Sequence, residues 1–111
     1  MTKREFLRGY IIAGRRLAVK ENQLNRLCGE AYEGIKEDVR REAEELREKR
    51  LEVLRVIETA PTELQRTMLE ARFINGMTPK NISVMVGYGK SHQYRMYADA
   101  MQKMKFPEGV V

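Results

Sequence analysis

The sequence predicts an all-α protein, with an N-terminal antiparallel helical hairpin of coiled-coil type followed by a three-helix helix-turn-helix domain. Apolar residues recur at intervals of three, four or seven through most of the chain, which is the spacing of one helix face. Proline and glycine divide the second half into three helical segments, as in helix-turn-helix units. We expect residues 1–59 to form the hairpin and association region, 60–106 the helix-turn-helix domain, and 107–111 a tail.

The composition excludes several classes of protein. The 111 residues include 21 Lys and Arg against 16 Asp and Glu, a formal net charge of +5. No apolar run reaches the roughly 20 residues of a membrane span, and residues 1–6 lack a signal-peptide pattern, so we expect a cytoplasmic protein without a membrane partner. One Cys and one His cannot build a disulfide framework or the usual zinc sites. With no phosphate-binding loop and no Ser/His/Asp set, we expect no enzymatic activity, cofactor or metal.

The first helix of the hairpin is predicted from apolar residues at intervals of seven, namely Tyr10, Leu17, Leu24 and Ala31. Gly9 and Gly14 each cost a helix about 1 kcal/mol relative to Ala, so we expect its start to be frayed or bent. Gly29 and Gly34 bracket a plausible turn into the second helix.

The second helix is a densely charged segment, Lys36–Glu58, in which 15 of 23 residues are charged. Opposite charges recur there at i,i+4 spacing, Glu37 with Arg41 and Glu45 with Lys49, each pair contributing ~0.2–0.5 kcal/mol. A narrow apolar stripe runs along it, formed by Val39, Ala43, Leu46, Val53 and Ile57. Because both stripes are narrow, we expect a second copy of the chain to complete the packing and form a homodimer through these N-terminal helices.

The second half opens with two helices separated by a glycine. Pro61 suits an N-terminal helix position, and the Asn-Gly pair at 75–76 is a stop signal. Thr78 and Pro79 then read as the N-cap and first residue of a short helix that ends at Gly87. The residues expected to face inward from this short helix are Ile82, Met85 and Val86.

A third helix begins at Lys90 and ends before Pro107. Its apolar residues fall on one side, Met96, Tyr97, Ala100, Met101 and Met104. Gln93 falls on the same side, so it is either a partly buried amide or a sign that the helix is rotated.

A specific resemblance lies in residues 76–95, GMTPKNISVMVGYGKSHQYR. This segment resembles the G-x-S-x-x-E-I-A-x-x-L-G-x-S-x-x-x-V-x-R stretch of sigma-factor region 4-like helix-turn-helix domains. With the charged hairpin ahead of it, the chain is similar to the small phage late-transcription activators related to RinA and ArpU. The resemblance implies a sequence-specific DNA-binding transcriptional regulator that places residues 90–104 in the major groove. The chain departs from the pattern at Ser83, Gly89 and Gln93, where the family usually has Ala, Ser and an apolar residue.

The resemblance and the helical wheel together select the residues expected to contact DNA. The predicted base contacts are Lys90, Ser91, Tyr94 and Arg95, of which Arg95 suits the bidentate recognition of guanine. The predicted phosphate contacts are Thr78, Lys80, His92, Gln102, Lys103 and Lys105. The basic residues near the N-terminus, Lys3, Arg4, Arg8, Arg15 and Arg16, are interpreted as a solvated helix face, with a DNA-contacting arm as the alternative.

Two other functions stay open at this point. The chain could be a small terminase-like DNA-packaging oligomer, in which a helix-turn-helix and helical association segments build a ring. It could also be a helical interaction module that binds RNA polymerase without contacting DNA. RNA polymerase is in addition a possible partner of the DNA-binding regulator.

Overall fold

The structure, a computed structural model, describes residues 1–111 and is all-helical, as the sequence predicts. It contains five α-helices and no strand. The helices are α1 (Lys3–Arg26), α2 (Glu33–Glu58), α3 (Glu63–Leu69), α4 (Pro79–Val86) and α5 (Lys90–Lys103). A single 3₁₀ turn, Glu30–Tyr32, precedes α2, and a π-helical turn, Glu70–Ile74, extends α3.

Helices α1 and α2 form the predicted antiparallel hairpin. Tyr10 Oη accepts a hydrogen bond of 2.8 Å from Arg50, while further along Lys20 Nζ lies 2.6 Å from a carboxylate oxygen of Glu42. Apolar side chains of both helices are buried along the hairpin, including Leu7, Ala13 and Leu17 of α1 and Val39, Ala43 and Val53 of α2. The two narrow stripes therefore cover each other within one chain, and covering them does not require the second copy. The homodimer stays a prediction.

The expected fraying at Gly9 and Gly14 is wrong, because α1 runs without interruption from Lys3. Thr2 caps it, since its hydroxyl accepts the backbone N–H of Glu5 at 3.1 Å. Gly9 is buried, and a methyl group added there would lie 3.2 Å from Cε of Lys49. The absence of a side chain at Gly9 thus lets the stem of Lys49 lie directly on α1.

The charged surface of α2 pairs differently from the prediction. Three of its ion pairs have i,i+3 spacing at 2.6–3.4 Å and join Glu37 to Arg40, Asp38 to Arg41 and Glu44 to Arg47. The predicted i,i+4 pairs, Glu37 with Arg41 and Glu45 with Lys49, are absent. Arg41 has a carboxylate at both spacings, Asp38 and Glu37, and pairs with Asp38, while the packing of Lys49 on α1 removes Lys49 from its predicted partner.

One hydrophobic core joins the hairpin to the helix-turn-helix unit. Phe6 and Leu7 of α1 belong to the same buried cluster as Ile57 of α2 and as Met68 and Ile82 of α3 and α4. The predicted division between residues 59 and 60 falls within the stretch of chain that supplies this cluster. Because α1 contributes to it, the position of the helix-turn-helix unit relative to the hairpin is set by burial of apolar surface.

The residues after α5 pack along the start of α1. The rings of Phe6 and Phe106 meet edge to face with their centroids 5.7 Å apart. The backbone N–H of Val111 donates to the carbonyl of Met1 at 3.0 Å, and that of Lys3 donates to the carbonyl of Val111 at 3.3 Å. The segment predicted as a tail is thus hydrogen-bonded to the opposite end of the chain.

Residues 87–89 connect α4 to α5 and form the turn of the helix-turn-helix unit. Thr78 caps α4 as predicted, accepting the backbone N–H of Asn81 at 3.2 Å. Ile82 is fully buried and Val86 packs against the core, but Met85, which we expected to face inward, is 48% exposed. The expectation for Met85 is wrong because α4, only eight residues long, presents a single narrow line of side chains to the core.

The glycine that ends α4 is a site where a side chain is expected to be costly. Gly87 has φ of +79°, which Ala reaches at a cost of about 1–2 kcal/mol. Gly87→Ala is therefore expected to lower the midpoint of thermal unfolding, followed by circular dichroism, by at least about 4 °C. Gly34→Ala is the control, since a methyl group there meets nothing within 4 Å and φ is ordinary. Equal midpoints for the two variants would contradict the left-handed turn.

Candidate nucleic-acid interface

The orientation of α5 is fixed by an amide that is buried between α4 and α5. Gln93 is 2% exposed, and its Nε2 donates to Ser83 Oγ at 2.7 Å and to the Pro79 carbonyl at 3.0 Å. Ser83 Oγ itself donates to the same carbonyl at 3.0 Å. Of the two alternatives for Gln93, the buried amide is therefore the one observed.

Two of the departures from the sigma region 4-like pattern are thereby explained together. Ser83 stands where that pattern has Ala, Gln93 stands where it has an apolar residue, and the two side chains are hydrogen-bonded to each other. Ser83 Oγ supplies an acceptor for the buried Gln93 amide N–H, whereas Gln93 Oε1 is buried without a hydrogen-bond partner. The remaining departure, Gly89, is the N-cap of α5 and offers no side-chain hydrogen bond.

The four predicted base-contacting residues share the exposed side of α5. Gln93, Tyr97 and Ala100 are its buried residues, which leaves Lys90, Ser91, Tyr94 and Arg95 exposed to solvent. Neither Lys90 nor Arg95 lies within ion-pair distance of a carboxylate, so both are unpaired cations. The structure thus places these four residues together within the first two turns of α5, the part of a recognition helix that reaches deepest into a major groove.

The six predicted phosphate-contacting residues are also exposed, but three of them already contact other groups of the protein through their side chains. The Thr78 hydroxyl caps α4, and the ring of His92 stacks on that of Tyr88 with centroids 4.3 Å apart. Nζ of Lys103 lies 2.8 Å from Asp99 Oδ1. The side chains of Lys80, Gln102 and Lys105 make no ion pair or side-chain hydrogen bond.

Asp99 is an acidic group at the edge of this basic surface. Its pKa is lowered from the ordinary value of 3.8 by a hydrogen bond from Lys103 and by one of 2.9 Å from Gln65. Because the folded-state pKa is lowered, these contacts stabilise the protein above about pH 4 and are lost as the pH falls below that value. At neutral pH the Asp99 carboxylate therefore neutralises Lys103. A DNA phosphate that bound Lys103 would have to displace this carboxylate.

Arg72 is a cation that the sequence prediction missed as part of the site. Helical periodicity placed it among the residues of α3, but its guanidinium lies 5.8 Å from the ring centroids of both Phe73 and Tyr97. It lines a small cleft together with Lys90 and Tyr94. The sequence offered one signal for this role. Arg72 has apolar neighbours and no carboxylate three or four residues away that could neutralise it. The aromatic rings hold this charge next to the start of α5.

The ion pairs of the protein are concentrated away from α5. Six basic residues take part in them, and all but Lys103 lie between residues 20 and 47, in the part of the hairpin remote from the helix-turn-helix unit. The basic residues around α4 and α5 are therefore largely not neutralised by carboxylates. Such unpaired positive charge is the electrostatic requirement for binding a polyanion.

Comparisons of this chain with protein-family models, with curated proteins and with solved structures find no match. No helix in the structure combines the length and the apolar character needed to cross a membrane.

Proposed function

We propose that the protein is a sequence-specific DNA-binding regulator of transcription, with α5 in the major groove of double-stranded DNA. The observation that carries this proposal is the clustering of Lys90, Ser91, Tyr94 and Arg95 on the exposed side of a helix whose opposite side is fixed by Gln93. A phage late-gene activator is the specific role that the sequence resemblance supports.

The chemistry of these side chains suits base recognition. The guanidinium of Arg95 can donate two hydrogen bonds to O6 and N7 of guanine, which together discriminate against another base by about 1–3 kcal/mol. Ser91 offers a short hydroxyl that both donates and accepts, and Tyr94 offers an exposed ring and hydroxyl. A helix of 14 residues is roughly 21 Å long, so its first two turns can enter the groove while its end lies over the backbone.

Dimerisation through the N-terminal helices is part of the proposal. Ile12 and Val19 lie seven residues apart on α1 and are 54% and 57% exposed, which leaves an apolar strip outside the hairpin core. Two copies joined there would carry two recognition helices and double the number of phosphate contacts. A dimer of this kind reads two half-sites about one helical turn of DNA, or a multiple of it, apart.

The proposal is tested by selecting bound duplexes from a pool of random sequence and titrating the enriched duplex against a scrambled one over a salt series. We expect an enriched motif, preferred by at least about 10³-fold, and a dimeric mass in solution. Failure to bind either duplex at low salt would overturn the proposal. Binding without preference by a ring of many subunits would favour DNA packaging instead, and capture of RNA polymerase without DNA binding would favour an interaction module.

Substitution of Asp99 is expected to strengthen DNA binding, whereas the other substitutions in the interface are expected to weaken it. Asp99→Asn retains an oxygen that can accept the hydrogen bond from Gln65, but it releases Lys103 and removes a negative charge beside the DNA. We therefore expect the affinity for the selected and the random duplex to rise by the same factor. The gain expected from an exposed pair is on the order of two- to five-fold at low salt. Fluorescence anisotropy titrations measure it. Glu37→Gln, an equal change of charge in the remote part of α2, is the control and should have no effect.

A further inference from the structure

The first two turns of α1 lie beside α5, the proposed recognition helix, although the two segments are some ninety residues apart in sequence. Arg4 lines an open groove together with Tyr94 and Ala98 of α5. Arg8, one turn further along α1, lines a second groove with Arg72 and with Thr78 at the start of α4. Both arginines therefore border the helix-turn-helix unit, which the spacing of basic residues in the sequence could not reveal.

Arg4 and Arg8 are exposed and make no ion pair or side-chain hydrogen bond. Their neighbour Lys3 differs, because its Nζ donates to the Met101 carbonyl at 2.8 Å and lies 5.5 Å from the ring centroid of Phe106. Lys3 thus fastens α1 to the end of α5, while the two arginines keep their guanidinium groups available. Glu5, the one carboxylate in this stretch, forms no ion pair with either of them.

The backbone that carries these arginines is held in place by burial. Phe6 and Leu7, between Arg4 and Arg8 in sequence, are 5% and 0% exposed and belong to the core shared with the helix-turn-helix unit. Arg4 and Arg8 are one turn apart, so they share a face of α1 about 6 Å apart along its axis. They are fixed at the level of the helix backbone, and binding would order only their side chains.

The edge of α5 that Arg4 borders is the one next to its exposed side. Tyr97 is buried and Arg95 points to solvent, with Tyr94 and Ala98 exposed beside Arg4. A helix inserted in a major groove is flanked on each side by a phosphate backbone, and its edge residues lie nearest to that backbone. Arg4 borders this edge, and Arg8 borders the start of α4, where the phosphate contact of Thr78 is proposed.

We propose that Arg4 and Arg8 bind the phosphate backbone beside the groove that α5 reads, which makes the start of α1 a second, sequence-independent part of the DNA interface. This inference rests on the proposed DNA-binding function. Arg4 and Arg8 are then not part of a merely solvated helix face, because they bind a defined ligand, the DNA phosphodiester.

The test is a salt series with the full chain on the selected duplex and on a scrambled duplex. Each phosphate contact contributes about 0.9 to the slope of log K against log salt. The double variant Arg4→Ala with Arg8→Ala is expected to reduce the slope by about 1.8 for each bound chain, or about 3.6 for the dimer, on both duplexes and without changing the preference between them. Arg4→Lys with Arg8→Lys should retain most of the slope. The matched control is Arg26→Ala, which removes an exposed, unpaired arginine from the other end of α1.

The outcomes separate this inference from the function on which it rests. If the unaltered chain prefers the selected duplex but the double variant has the same slope as Arg26→Ala, the inference is overturned and the proposed function stands. If the unaltered chain binds no DNA, the proposed function itself fails. Since both arginines are exposed, thermal unfolding midpoints should match that of the unaltered chain, which ensures that a reduced slope reports lost contacts.

Discussion

Arg95→Ala is expected to lower the preference for the selected DNA sequence while leaving binding to random DNA largely intact. Removing both hydrogen bonds to one guanine costs about 1–3 kcal/mol, or roughly five- to 150-fold in affinity, and this loss applies only to the selected duplex. Arg95 is exposed, so no loss of stability accompanies the change. Competition titrations of selected against scrambled duplex measure the effect, and a panel of single base changes should show relaxed preference at one position.

The contrasting variant is Lys105→Ala, which removes an exposed cation proposed to contact phosphate. It should weaken binding to both duplexes by the same factor and reduce the salt slope by about 0.9 for each bound chain, or about 1.8 for the dimer. The two variants therefore distinguish base recognition from backbone contact. If Arg95→Ala also weakened binding to both duplexes equally, Arg95 would be a phosphate contact, and the proposed placement of α5 would be refuted.

Leu7→Ala is expected to produce the largest loss of stability of the substitutions considered. Leu7 is fully buried in the core shared by the hairpin and the helix-turn-helix unit, and truncating such a side chain costs about 2–5 kcal/mol. For a chain of this size the midpoint of thermal unfolding should fall on the order of 10–20 °C. Binding to both duplexes should be lost at the same temperature as the helical signal, because one core supports both segments.

The control for Leu7 is Ile35→Ala, a similar truncation on the other hairpin helix, at a side chain that is 52% exposed and lies outside the proposed dimer strip. It should change the midpoint by only a degree or two, since surface substitutions fall within about 0.5 kcal/mol. Circular dichroism followed against temperature provides the measurement. Two separate transitions, with only the hairpin destabilised by Leu7→Ala, would show that the segments fold independently and that the shared core does not couple them.

Much of the fold and the candidate interface could be read from local sequence. The N-cap at Thr78, the glycine stop at Gly87 and the buried line of α5 all depend on residues within a few positions of one another. For the same reason the exposure of Arg95 was predictable, since helical periodicity alone places it opposite the buried side, whereas Lys90 falls on the same side as Gln93 and Tyr97. Met85 was misplaced because periodicity does not indicate how wide a strip of a short helix is covered.

The remaining features depend on which faces meet, and only the tertiary structure decided them. The sequence by itself determined the helices, their order and the residues that the resemblance selects on α5. It left Gln93 ambiguous, because its partners Ser83 and Pro79 lie on another helix. It could not place Arg4 beside Tyr94 either, since that proximity follows from the burial of Phe6 and Leu7 in a core supplied largely by residues more than forty positions away. Helical propensity and capping act over single turns, whereas the burial that brings α1 to α5 acts between distant segments, and only the folded chain shows its result.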